Sequence, residues 1–371
     1  LRLLGHDVRV CMPRYQPIDP GQFGLGPVIH DLDVPLDDRD ERVDILEGSI
    51  GGLVPIYFVD DERLFGSREH IYGYEDDGER FVLFCRAALE MCRRLDWRPD
   101  VLHCNDWHTG LVPNWLKTIY RKDEFFRYTA SVYTVHNVAY QGVFGYRILE
   151  VAGIAAQGFV YPQISDLSDH VDFLGRGILF ADLVSTVSER YAQEILTPEY
   201  GEKLDPLLRE RRDRLVGILN GIDVDALDPA TDPFLESHYD IDHLQGKLAQ
   251  KALLQREANL SVEPGVPLLG IIARLTAQKG FDILSYQMEA CMRRGVQLIV
   301  LGTGDPEYQR TFSDFAGRFP NVSVFLTFNT PLAQKVYAGC DMFLMPSRFE
   351  PCGLGQMIAM RYGTVPIVRF T

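Results

Sequence analysis

The sequence predicts an α/β protein built from two doubly wound domains, and three observations carry that reading. Short apolar or β-branched runs alternate with helical patterns along the whole chain, the rhythm of βαβ units around a mainly parallel sheet. At 371 residues the chain exceeds what one core of usual size requires. Between the halves, residues 214–265 hold NGIDVDALDPATDP, dense in turn formers, followed by a helical stretch at 247–258. The boundary is expected there, giving domains 1–217 and 218–371.

In the first half, strands are predicted at 8–12, 55–59, 101–104, 129–134 and 183–186. Helices are predicted at 78–94, whose apolar residues recur at three and four, and at 109–117. Residues 31–44 are rich in Asp and poor in apolar side chains, so a solvated loop or hairpin is expected rather than a metal site. The second half has a cleaner beat. LLGIIA (268–273), QLIVL (297–301), residues 322–325 and MFLM (342–345) read as short buried strands, with helices at 280–294, 307–318 and 330–338 between them. In open parallel sheets ligands bind beyond the carboxyl ends of the strands, so a cleft between two such domains is the expected site.

Composition narrows the partners. A net charge of −15 argues against a nucleic-acid binder, which relies on clustered Lys and Arg. Seven Cys from Cys11 to Cys352, without CxxC pairs, fit a reducing compartment, and a cytoplasmic protein is expected. No stretch approaches the roughly 20 apolar residues of a membrane helix. The opening LRLLGHDVRVCMP has neither a start Met nor a signal-peptide pattern, so a fragment of a longer protein is expected.

The motifs follow predicted strands. After LLGIIA comes RLTAQKG (274–280), whose Arg274 and Lys279 head toward a helix start, where backbone N–H groups already favour anions. Two cations there would clamp a diphosphate; a solvated helix start is the plainer alternative. After MFLM comes SRFEPCGLGQ (347–356), where Pro and Gly force a turn around Glu350 and a helix begins near Leu354. Glu350 reads either as a carboxylate reaching a sugar or as an acidic helix cap. Cys352 reads as a packed residue, since no base accompanies it.

From the first half, HNVAYQG (136–142) places His136 and Asn137 on a strand-end loop with several donors and acceptors. HCNDWHTGL (103–111) places Asn105, Asp106, Trp107 and His108 between strand and helix. Asp106 is open to two readings, sugar ligand or N-cap, and Trp107 to two, aromatic platform or packing. GTGD (302–305) reads as a structural turn, and Asn220 either touches ligand or forms the NGID turn.

Taken together, HCNDWHTGL, TVHNVAYQG, NGID, RLTAQKG and SRFEPCGLGQ resemble the bacterial glycogen synthase and starch synthase family over nearly the whole chain. The opening GHDVRVCMPRY and the ending YGTVPIVRFT look like family segments too. The resemblance implies two Rossmann-like domains facing across a cleft (the GT-B type), ADP-glucose as donor, an α-1,4-glucan as acceptor, retention of configuration and no metal. It implies that Arg274 and Lys279 contact the donor diphosphate, that Glu350 is the essential acid, and that the Gly353 and Leu354 amides bind the distal phosphate. His136 matches the histidine beside the transferred glucose, Asp106 the sugar-site aspartate and Asn220 the asparagine near the donor. Phe328 matches a position where a ring lies on adenine, a core phenylalanine being the alternative. The family's KxGGL loop has no counterpart before Leu1, nor its TGGL loop after Thr371. A related transferase making another glycoside, or an inactive glucan-binding fragment, are the other readings.

Overall fold

The strands of the computed structural model, which describes residues 1–36, 40–155 and 170–371, fall into two compact units, Leu1–Ile218 and Leu219–Thr371. In the first unit β1 (Val10–Pro13), β2 (Gly26–Pro35), β3 (Asp40–Ile50) and β4 (Val54–Asp60) form one sheet in the order β1-β4-β3-β2. Only the β1–β4 pairing is parallel; β4, β3 and β2 run antiparallel.

The expectation of a mainly parallel sheet is corrected here, since this sheet is mixed, and of the two readings of the acidic stretch 31–44 the structure takes the hairpin, with 37–39 outside the described residues. The reason is a period of two, interrupted on β2 by an irregularity between Ile29 and Leu32: Ile29, Leu32 and Val34 on β2 and Val43 and Ile45 on β3 are buried, while Asp33 and Arg42 pair on the outer face at 3.0 Å. Few apolar residues suffice when each one points inward. Among the described residues no three His, Cys, Asp or Glu side chains gather where they would hold one ion.

The unit's second sheet is wholly parallel, ordered β10-β9-β6-β5, from β5 (Val101–Asn105), β6 (Ala130–Val135), β9 (Leu183–Thr186) and β10 (Leu215–Gly217). A small antiparallel pair, β7 (Val143–Gly145) and β8 (His170–Asp172), lies between them in sequence. Helices α1 (Asp77–Arg94), α2 (Leu111–Lys117), α3 (Ile148–Val151), α4 (Phe173–Phe180), α5 (Glu189–Glu194) and α6 (Asp205–Glu210) complete it. Tyr133 of β6 is fully buried, its ring 2.2 Å from where a Cβ on Gly177 of α4 would sit. That close approach is why α4 carries a glycine at its centre.

The second unit is a single five-stranded parallel sheet in the order β13-β12-β11-β14-β15. The strands are β11 (Leu268–Ile272), β12 (Gln297–Leu301), β13 (Val322–Phe325), β14 (Met342–Met345) and β15 (Val365–Val368). Helices α7 (Gln245–Glu257), α8 (Phe281–Arg293), α9 (Pro306–Arg318), α10 (Thr330–Gly339) and α11 (Leu354–Arg361) accompany them. Alternate strand residues feed two cores. Leu269, Ile271, Leu298 and Val300 pack with Phe281, Phe312 and Phe315, whereas Leu268, Ile299 and Leu301 pack with Leu254, Val336 and Cys340. Burial on both faces explains the unbroken apolar runs in the sequence, and each such side chain contributes about 1.5–3 kcal/mol.

Strand order reverses between β11 and β14, whose neighbours β12 and β15 lie on opposite sides. Loops leaving the carboxyl ends of those two strands diverge there and leave a crevice, the usual ligand position in this architecture. They are the two loops that carry RLTAQKG and SRFEPCGLGQ. Among the described residues no helix is long and apolar enough to cross a membrane.

Candidate active site

Beyond β11 the chain turns at once. The Leu275 amide donates to the Thr303 carbonyl at 2.8 Å and the Asp305 amide to the Leu275 carbonyl at 2.8 Å, so GTGD serves as the scaffold of this loop. Exposed Arg274 stands at its start. A short 3-10 turn, Ala277–Lys279, ends at Gly280, whose φ of 68° is left-handed and whose Cβ would lie 2.3 Å from the Pro346 carbonyl. Only glycine fits that approach.

Across the switch point, Lys279 Nζ donates to Glu350 Oε2 at 2.7 Å, and the buried Ser347 hydroxyl donates to the same oxygen at 2.8 Å. Glu350 is therefore no helix cap. The first turn of α11 has no side-chain cap, and it follows Gly353, which is left-handed at φ 84°. Its leading amides, Leu354 foremost, belong to a helix start that favours an anion. The amide and side chain of Asn220 both hydrogen-bond Cys352, whose thiol burial pushes up while those bonds oppose it. Asn220 thus belongs with the Glu350 loop. Phe328, three residues past the end of β13, is 91% exposed, which overturns the core-phenylalanine alternative.

In the first unit, Asp106 follows β5 with φ 55°, and its side chain makes no cap. Instead Oδ1 accepts the His136 amide at 2.8 Å, and the Asn137 amide bonds the same carboxylate. Burial raises the Asp106 carboxyl above its ordinary value, and these two amides act against that. His136 Nε2 lies 3.0 Å from Asn105 Oδ1, and Asn137 Oδ1 accepts the Ala139 amide at 3.0 Å. The N-cap reading of Asp106 gives way to that of a carboxylate holding the His136 loop.

Trp107 is packing, not a sugar platform. It is buried, stacked on His108 at 3.8 Å, and set against Phe81 at 5.1 Å and Phe144 at 5.6 Å. Gly142, at φ 64°, crosses it so closely that a Cβ would lie 2.4 Å from the indole. Burial lowers the pKa of His108 to about 4, the Arg80 charge adding to it.

The structure brings together Lys279 with Glu350, Asn220 with Cys352, and Asp106 with His136 and Asn137. Ser347 and Gln278 were passed over in the sequence although each lay inside a quoted motif. Nothing in a linear motif says which neighbouring loop a side chain will reach.

Residues 1–210 match the family model described as starch synthase catalytic domain, and residues 266–370 match that of glycosyl transferases group 1. The chain is a glycosyltransferase of the GT-B type. It is 47% identical over 370 residues to a glycogen synthase of Moorella thermoacetica, covering 99% of this chain and 74% of that protein. It is 45% identical over 374 residues to one from Desulforudis audaxviator, covering 99% and 73%. The catalytic domain of starch synthase IV from Arabidopsis thaliana, bound to ADP and acarbose, superimposes with a TM-score of 0.92 at 34% identity, over 99% of this chain and 76% of that one. The chain belongs to the glycogen synthase and starch synthase family.

Proposed function

We propose that this protein transfers glucose from ADP-glucose to the non-reducing end of an α-1,4-glucan, with retention of configuration and without a metal. The observation that carries the reading is the Lys279–Glu350 pair, 2.7 Å apart at the switch point of the C-terminal sheet. ADP in the starch synthase IV structure supports an adenine nucleotide as the donor's leaving group, and its acarbose supports a saccharide ligand.

In this mechanism Arg274, Lys279 and the Gly353 and Leu354 amides stabilise the departing diphosphate, the task a metal performs in other transferases. As the bond from the anomeric carbon to the diphosphate breaks, that carbon gains positive charge beside Glu350. The acceptor hydroxyl adds on the same face, and its proton leaves on the departing phosphate. Phe328 stacks on adenine, and Asn220 and Cys352 line the donor. His136 and Asn137 hold the glucose, with Asp106 fixing their loop. Seven free thiols support a reducing, cytoplasmic setting, and the charge of −15 supports neutral or small anionic partners rather than nucleic acid.

The test is glucose incorporation into maltooligosaccharides from ADP-glucose and UDP-glucose, with and without chelator. Lys279→Ala and Arg274→Ala are each expected to slow transfer by about ten- to 150-fold, the worth of one charge-assisted contact. Unchanged turnover in both, or dependence on added Mg²⁺, overturns the proposal.

A further inference from the structure

Gln278 carries no charge and sits beside the residue that does, yet it makes two of the bonds that fasten one site loop to the other. Its backbone carbonyl accepts the Arg348 amide at 2.8 Å, and its side-chain Nε2 donates to the Phe349 carbonyl at 3.3 Å. Two residues on, Gly280 presses against the Pro346 carbonyl, and Asp282 forms an ion pair with Arg348. Residues 278, 280 and 282 therefore grip 346–349 along alternate positions.

Strand pairing does not supply this registry. The ladder between β11 and β14 consists of Leu269↔Met342 and Gly270↔Phe343, and both loops run well beyond it before reaching Lys279 and Glu350. Nor does the ion pair fix itself, because two long, partly exposed side chains hold one geometry only weakly. The Gln278 bonds take over where the ladder stops.

We infer that Gln278 is a positioning residue for glucosyl transfer, setting the ammonium of Lys279 and the carboxylate of Glu350 in register across the switch point. The inference rests on the roles proposed above for those two groups. Gln278 acts through the pair, by way of its bonds to the backbone of Arg348 and Phe349.

The experiment compares Gln278→Met, which keeps the shape and removes the amide donor, with Gln278→Ala, each alone and combined with Lys279→Ala. The expected result is a fall in kcat of about three- to tenfold, the worth of one neutral hydrogen bond, with the glucan KM and the thermal midpoint unchanged. In the Lys279→Ala background the same change should cost less than about twofold, because coupled residues are not additive. A wild-type kcat in both variants, an equal loss in both backgrounds, or a loss that follows a lowered thermal midpoint overturns the inference. Lys279→Ala at wild-type turnover overturns this inference, and with Arg274→Ala also at wild-type turnover the proposed function falls too, whereas a crippled Lys279→Ala beside an unaffected Gln278→Met overturns the inference alone.

Discussion

Substitution of Asp106 separates a carboxylate that acts on the sugar from one that holds a loop. Two amides, those of His136 and Asn137, converge on this side chain, the first at 2.8 Å. Hydrogen bonds to a charged group are worth about 1.5–3 kcal/mol each, and a left-handed backbone costs most residues about 1–2 kcal/mol, Asn being an exception. Asp106 adopts φ 55°. Asp106→Asn keeps the backbone and one acceptor oxygen, so a loss of about five- to twentyfold in kcat/KM is expected. Asp106→Ala removes both acceptors and adds strain, so at least about a hundredfold loss is expected, shared with a lowered melting temperature. Steady-state transfer from ADP-glucose to glycogen and thermal unfolding of the same preparations give both readings. If Asn proves as damaging as Ala, the negative charge acts on substrate directly and the loop-holding account is wrong; if Ala transfers near the wild-type rate, neither role stands.

Asp172 is buried, with Oδ1 on the Gly175 amide at 2.9 Å and Oδ2 without a hydrogen-bond partner among the described residues, and burial raises its pKa to about 7. Because the folded pKa lies above the unfolded value of about 4, its stabilisation is complete below that value and is lost as pH rises to about 7. Asp172→Asn should therefore be more stable than the parent at pH 8 and less favoured at pH 4; parallel melting curves across that range would sink the assignment. Gly142→Ala should lower stability by about 2–4 kcal/mol in urea titrations, since the new Cβ meets the Trp107 ring at 2.4 Å with φ at 64°. Phe328→Ala should leave the melting temperature within a degree or two, its ring being solvent-exposed, and raise the KM for nucleotide sugar about three- to tenfold. An unchanged KM removes Phe328 from the donor site.

What the sequence reveals depends on whether the cause is local. β12 ends where its apolar run does, because every position from Gln297 to Leu301 is buried. The β2–β3 hairpin was half hidden, since alternation with Asp on the outer face resembles a solvated loop when only composition is weighed. Arg274, Lys279 and Glu350 were legible as chemistry, being charges placed just past strand ends. That Lys279 and Glu350 meet was not legible, because it depends on β14 lying next to β11 rather than on the seventy or so residues separating them in sequence. Trp107 stayed open for a related reason: an indole beside His108 reads as platform or packing until Gly142 is seen crossing it.

The unusual backbone angles share one cause. Parallel strands all leave a sheet at the same edge, and the chain must reverse there into a helix while its amides still point outward. Asp106, Gly142, Gly280 and Gly353 all take positive φ on such exits or on the loops they lead into. The glycines adopt it without steric cost, whereas Asp106 carries the strain at the last ladder bond, its amide donating to the Thr134 carbonyl at 2.9 Å. Compensation comes from bonds between one loop and another: Asp106 with His136, Leu275 with Thr303, Gln278 with Phe349. The sheets would therefore persist with any of these removed, while the site would not. The residues that shape the chemistry of this protein are those that tie its loops together, and they include uncharged ones that a search for catalytic groups passes over.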